Sequence, residues 1–163
     1  EIYQCDWSSD VCSSDLFSAR GKTYRYRVRN TPIPDPFTRL TEWHLPERLD
    51  VPAMRNAAAA LVGTHDFSAF QSLGGDTNGT VRTITRADVL GDTVHGDGLL
   101  ALEFSGTGFL RYQVRTMVGT LIEVGRGWRA PENIAALLAA GRRADAGATA
   151  PPHGLFLVSV DYD

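Results

Sequence analysis

Lys22–Arg29 reads KTYRYRVR. Tyr24, Tyr26 and Val28 alternate with Arg25, Arg27 and Arg29, the period of two that a strand shows when one face packs on a core and the other meets water. The segment therefore predicts a strand with one aromatic, apolar face and one basic face. Further along, Val114, Met117, Val118, Leu121 and Ile122 recur at spacings of three and four. That periodicity predicts an amphipathic helix from about Leu110 to Val124, stopped at Gly125. A one-sided strand and a one-sided helix can bury their apolar surfaces against each other, which points to a layered α+β domain.

The intervening and flanking segments extend this picture. Thr31–Pro36 holds three prolines and predicts a rigid extended connection. Asp50 is placed to cap a helix over Pro52–Val62, with Pro52 in its first turn and Gly63 as its stop. Leu73–Thr80 (LGGDTNGT) predicts a loop, Val81–Leu90 a strand, Gly91 and Gly96–Gly98 turns, and Leu99–Ser105 a further strand. A shorter helix is expected over Pro131–Ala140, a small-residue and proline loop over Gly147–His153, and a buried strand over Leu155–Tyr162. Strands and helices interleave without strict alternation, so the expected sheet is largely antiparallel with helices packed on one face.

A chain of 163 residues suits a single domain, and 43% hydrophobic with 21% charged residues is ordinary for a globular protein. No apolar run approaches the roughly 20 residues that cross a bilayer, so no membrane is expected as a partner. The net charge of −3 conceals an uneven distribution. Glu1, Asp6, Asp10 and Asp15 fall in the first sixteen residues, which contain no base; setting those four of the 19 acids aside leaves 15 against 16 bases. Fifteen of these bases are arginine, and Lys22 is the single lysine. Arginine suits bidentate recognition of phosphate or carboxylate, although high-GC codon usage is the plainer source of such a bias.

Residues Cys5–Leu16, CDWSSDVCSSDL, have no helical or strand period and none of the regions of a signal peptide. The string is similar to the conceptual translation of a sequencing-adapter oligonucleotide. Residues 1–16 are therefore expected to be non-native and unstructured, with the domain proper at 17–163. Both cysteines, Cys5 and Cys12, fall in the excluded segment. The remaining cysteine-free domain fits a cytoplasmic location without requiring it.

Arg115 is the only charged side chain between Tyr112 and Ile122, in a helix otherwise suited to burial. A buried guanidinium needs a carboxylate or phosphate opposite it, because leaving it unpaired costs several kcal/mol. A lone arginine on an amphipathic helix can instead snorkel to solvent. Arg111, four residues earlier, extends a cationic stripe that could follow a nucleic-acid backbone. Tyr24 is either a core aromatic or a platform for an extruded base. The row Arg25, Arg27, Arg29 could contact phosphates, but it reads first as the solvated polar face of an antiparallel strand. His65 and Asp66, followed by Phe67 and Phe70, read as an anchored turn. A metal centre built on that pair ranks far lower, since His44, His95 and His153 are scattered without ligand spacing.

Taken in order, FSARGKTYRYRV (Phe17–Val28), GTHDFSAF (Gly63–Phe70), TVRTI (Thr80–Ile84), GFLRYQVRTMVGTLIEVG (Gly108–Gly125) and TAPPHGLFLVSVDY (Thr149–Tyr162) resemble the TruA family of tRNA pseudouridine synthases. The resemblance implies a pseudouridine-synthase-like fold and isomerisation of uridine to pseudouridine in the anticodon stem-loop of tRNA, without cofactor or metal, in a cytoplasmic homodimer. It implies that Tyr24 packs beside the target base, that Arg115 pairs with the catalytic aspartate, and that Leu155 helps wall the site. Arg111 and Arg25 stand beside these as substrate-binding candidates. The family's nucleophile sits in an RTDAGVHA-like segment upstream of FSAR, and no such segment occurs in these 163 residues. The expectation is a C-terminal portion, inactive on its own. The alternative is a non-catalytic RNA-binding module.

Overall fold

Alternation along Gly21–Arg29 decides which side of the sheet is covered. Tyr24, Tyr26 and Val28 are almost fully buried, while Arg25, Arg27 and Arg29 on the other side remain partly exposed. The structure is a computed structural model that describes residues 3–4, 19–72, 79–91 and 97–162. Its strands are β1 (Tyr3–Gln4), β2 (Gly21–Arg29), β3 (Trp43–His44), β4 (Gly63–Asp66), β5 (Val81–Leu90), β6 (Leu99–Gly106) and β7 (Leu155–Asp161). Its helices are α1 (Val51–Ala59), α2 (Gln113–Gly125) and α3 (Asn133–Ala140).

The strands join in the order β1-β7-β2-β6-β5-β4, all antiparallel. β3 runs parallel to the end of β2, at Val28 and Arg29, on the side that β7 has left beyond Tyr26. Helix α1 packs on β5 and on α2, and α2 reaches β2. Under them lie Tyr24, Tyr26, Leu100, Leu102, Phe104 and Ile84 from the sheet, Met54, Val114, Met117, Val118 and Leu121 from the helices, and Leu61 from the turn after α1, all at most 1% exposed. This is the expected α+β architecture, with a largely antiparallel sheet and helices on one face.

Four local differences from the sequence reading have physical causes. Helix α1 stops at Ala59, and Ala60–Val62 close it with tighter turns, because Gly63 opens a strand instead of ending a helix. That strand, β4, escaped the hydrophobic pattern because it is a polar edge held by backbone pairing and by the Thr64–Thr83 hydroxyl contact at 2.8 Å. Helix α2 starts at Gln113, three residues late, because Tyr112 adopts a left-handed conformation. Helix α3 starts at Asn133, after a turn from Ala130 and Pro131. In the segment expected to be unstructured, Tyr3–Gln4 pair with Leu157 and Phe156; residues 5–18 lie outside the described residues, as do Leu73–Asn78 and Asp92–Gly96 of the two expected loop regions.

His65 and Asp66 build the anchored turn. Phe67 and Phe70 are fully buried, and the Asp66 carboxylate accepts from Ser68 N at 3.0 Å and from the Thr80 hydroxyl at 2.5 Å. The Thr80 bond is the main reason the carboxyl titrates below its ordinary value. A group whose folded pKa is depressed stabilises the fold above its unfolded pKa and ceases to do so as pH falls through the folded value. Asp66→Ala should therefore lower the urea midpoint clearly at pH 7, and the gap to wild type should close as the pH drops from about 5 towards the depressed value. A gap of constant size across that range would refute the assignment.

Candidate active site

The strap of chain from Gly147 to Pro151 crosses α2 at van der Waals closeness, and it organises the site. Gly147 N donates to Thr120 Oγ1 at 3.0 Å and Ala150 N to Arg115 O at 3.0 Å. These bonds aim two successive carbonyls inward. Ala150 O accepts from Arg115 Nε at 2.7 Å, and Pro151 O accepts from the Tyr26 hydroxyl at 2.6 Å. Neither Pro151 nor Pro152 has an N–H, so this stretch presents acceptors without competing donors.

Tyr26 sits beside Tyr24 in the alternating row and is fully buried. Burial pushes its phenol well above the ordinary value, and the positive charge of Arg115 pulls in the opposite direction. The hydroxyl is therefore a neutral hydrogen-bond donor near a guanidinium. Leu155, also fully buried, lies directly across from Tyr26 in the β2–β7 register. Tyr24 is 1% exposed, and its ring meets Phe109 edge to face at 5.2 Å.

Arg115 is half-buried rather than fully enclosed. Its guanidinium carbon lies 4.7 Å from the centre of the Tyr112 ring, and that of Arg111 lies 5.1 Å from the same ring. Tyr112 has φ 60°, the one non-glycine residue with positive φ among the described residues. A left-handed conformation costs a residue of this kind about 1–2 kcal/mol. Two cation–π contacts at about 0.5–1 kcal/mol each are of the size needed to offset it. Tyr112 thus begins α2 and carries both arginine heads on one ring. Arg111 itself is exposed, at the rim.

The sheet separates the fifth candidate from the others. Arg25 points to the face opposite Tyr24 and contacts Glu103 at 3.4 Å; Glu103, 6% exposed at its side chain, also binds Arg86 at 3.0 Å. Arg86 in turn meets Asp88 at 3.1 Å. Thus Tyr24, Arg115 and Leu155 gather on one side with Arg111 at its edge, and Arg25 belongs to an ion-pair ladder on the other. The sequence reading passed over Tyr26, Phe109 and Tyr112. Tyr26 was visible in the same period of two as Tyr24; the roles of Phe109 and Tyr112 depend on a backbone conformation that no residue type announces. Among the described residues, no three potential metal-ligating side chains converge.

The family model for tRNA pseudouridine synthase matches residues 57–163. The chain is 45% identical over 146 residues to tRNA pseudouridine synthase A of Syntrophotalea carbinolica, covering 90% of this chain and 56% of that protein. It is 46% identical over 147 residues to the protein of that name from Exiguobacterium sp., covering 90% and 57%, and 46% identical over 144 residues to that of Myxococcus xanthus, covering 88% and 53%. The chain belongs to the tRNA pseudouridine synthase family, and it spans a little over half the length of these curated relatives.

Proposed function

We propose that the chain is the C-terminal portion of an enzyme that isomerises uridine to pseudouridine in the anticodon stem-loop of tRNA. In that reaction the C1′–N1 bond breaks, the base turns, C1′ bonds to C5, the C5 proton leaves to solvent and N1 takes up a proton, so that the product is an isomer of uridine. It is redox-neutral and calls on no cofactor. The observation that supports this reading best is the placement of Arg115. Its head is fixed from two sides, by Ala150 O and by the Tyr112 ring, near Tyr26 on the face of the sheet that carries Tyr24 and Leu155.

In this reading Arg115 pairs with a catalytic aspartate carried by a segment outside these 163 residues. Tyr24 and Leu155 form the apolar wall beside the target base, and Arg111 meets the RNA backbone at the rim. Among the described carboxylates, Asp66 holds a turn and Asp88 an arginine on the far face. The whole enzyme would act in the cytoplasm as a homodimer spanning one tRNA. No helix among the described residues is long and apolar enough to cross a membrane.

The test uses the chain with a tRNA transcript labelled with tritium at uridine C5. Retention of tRNA that weakens with salt, with no tritium release, is the expected result. Release of tritium by this chain alone would overturn the assignment of the nucleophile to another segment. Absence of tRNA retention would overturn the RNA assignment itself.

A further inference from the structure

Tyr112 takes a backbone conformation that a tyrosine adopts only with strain and a glycine adopts freely. The local structure does not call for a large side chain there. As the residue before α2, Tyr112 gives the helix start no side-chain bond. The turn is closed by its neighbours, since Leu110 N donates to Gln113 Oε1 at 2.7 Å and Gln113 N to Leu110 O at 3.0 Å. Tyr112 is half-buried and lies outside the buried core. Strain that a smaller residue would relieve, kept at a site of this kind, points to function.

What the ring does hold is charge. The Arg115 guanidinium carbon lies 4.7 Å from its centre and that of Arg111 lies 5.1 Å from it. The two cations are therefore within about a Debye length of each other, roughly 10 Å, where they repel. The ring offsets part of that repulsion, and an anion on each guanidinium would offset the rest. Arg115 is also held through its Nε by Ala150 O at 2.7 Å, and a carbonyl and a ring restrict the head more than either does alone.

We propose that Tyr112 is a positioning residue whose ring sets the aim of Arg115 and Arg111, and whose strained backbone is what presents that ring to both. It acts through the two arginines and touches no reacting atom. The inference rests on the RNA reading above for the two anions, a phosphate at the rim for Arg111 and the catalytic carboxylate for Arg115; the restraint on Arg115 follows from this chain alone. Stability and binding should then depend on different parts of one residue, the first on its backbone and the second on its ring.

The test compares the 163-residue chain with Tyr112→Phe, Tyr112→Gly and Tyr112→Ala by thermal midpoint, by the NMR order parameter of the Arg115 Nε–H bond, and by tRNA affinity. Tyr112→Phe keeps the ring and should match wild type in order parameter and affinity. Tyr112→Gly and Tyr112→Ala lose it; in both, the Arg115 order parameter should fall to that of a mobile side chain and tRNA affinity should drop roughly fivefold. Tyr112→Gly should still melt about 2–4 °C above Tyr112→Ala, because relief of the strain exceeds the entropy that glycine adds to the unfolded chain. An order parameter or an affinity unchanged in Tyr112→Gly overturns the positioning role. So does an affinity of Tyr112→Phe as low as that of Tyr112→Gly, since the hydroxyl and not the ring would then be the contact. Equal midpoints for Tyr112→Gly and Tyr112→Ala overturn the inference at its premise, the strain. If wild type does not bind tRNA while the order parameters follow the ring, the RNA reading falls and the positioning of Arg115 stands.

Discussion

Gly119→Ala is expected to unfold at a midpoint roughly 6–12 °C below wild type. A carbon added at Gly119 would lie 1.7 Å from Ala148 O, a backbone atom that cannot swing aside as a side chain can. Either α2 or the strap must move, and both carry the site. The gain in helix propensity from glycine to alanine, about 1 kcal/mol, opposes the clash. Overpacking against backbone, with loss of the Gly147–Thr120 and Ala150–Arg115 bonds, should exceed it and leave a net cost of about 3 kcal/mol. The measurement is thermal unfolding followed by circular dichroism, with Gly108→Ala as a control. At Gly108 the added carbon meets only the Arg82 side chain at ordinary contact distance, 3.8 Å, so little change is expected. A Gly119→Ala midpoint within a degree or two of wild type would mean that helix and strap are not in backbone contact.

The second large effect concerns Arg29 and Glu42. Arg29 grips the carboxylate with two bonds, Nε to Oε2 at 2.8 Å and Nη2 to Oε1 at 3.0 Å, and its remaining nitrogen reaches Asp97 O at 3.1 Å. Glu42 is 4% exposed, so removing the arginine strands a carboxylate in a poorly solvated place. Arg29→Met should cost about 3 kcal/mol, near the low end for a broken buried pair because Arg29 keeps 16% of its side chain in solvent. Arg29→Met with Glu42→Leu should recover most of that loss, since the expense lies in the unpaired charge and not in the missing attraction. Denaturant midpoints for the two single variants and the double variant decide it. A double variant no better than Arg29→Met alone would show that the pair holds the Trp43–His44 strand in register by its geometry.

The strands that carry an apolar face were legible because side chains alternate strictly along them. The same parity already placed Arg25 and Tyr24 on opposite faces, so the separation of Arg25 from Arg115 follows from the sequence once the strand is accepted. What escaped had no such signature. Trp43–His44 and Gly63–Asp66 are short edge strands whose pairing uses backbone groups common to every residue. The late start of α2 was hidden because left-handed conformations are usually announced by glycine or asparagine, and here a tyrosine takes one. The isolated charge in the helix did mark Arg115. Its immediate supports, a carbonyl and an aromatic ring, were not legible, because carbonyls are everywhere and the ring is positioned only by that tyrosine's backbone.

The strap at Gly147–Pro151 ties the sheet to the helix through adjacent peptide units, one carbonyl on Arg115 and the next on Tyr26. Two such grips on a rigid proline-bearing segment cannot release independently. Local opening there should be a single event, exposing the Ala150 amide, the Arg115 guanidinium and the Tyr26 hydroxyl to exchange with solvent at one common rate. The strap then behaves as a latch: while it is shut the cation has a defined aim, and lifting it disarms tyrosine and arginine together.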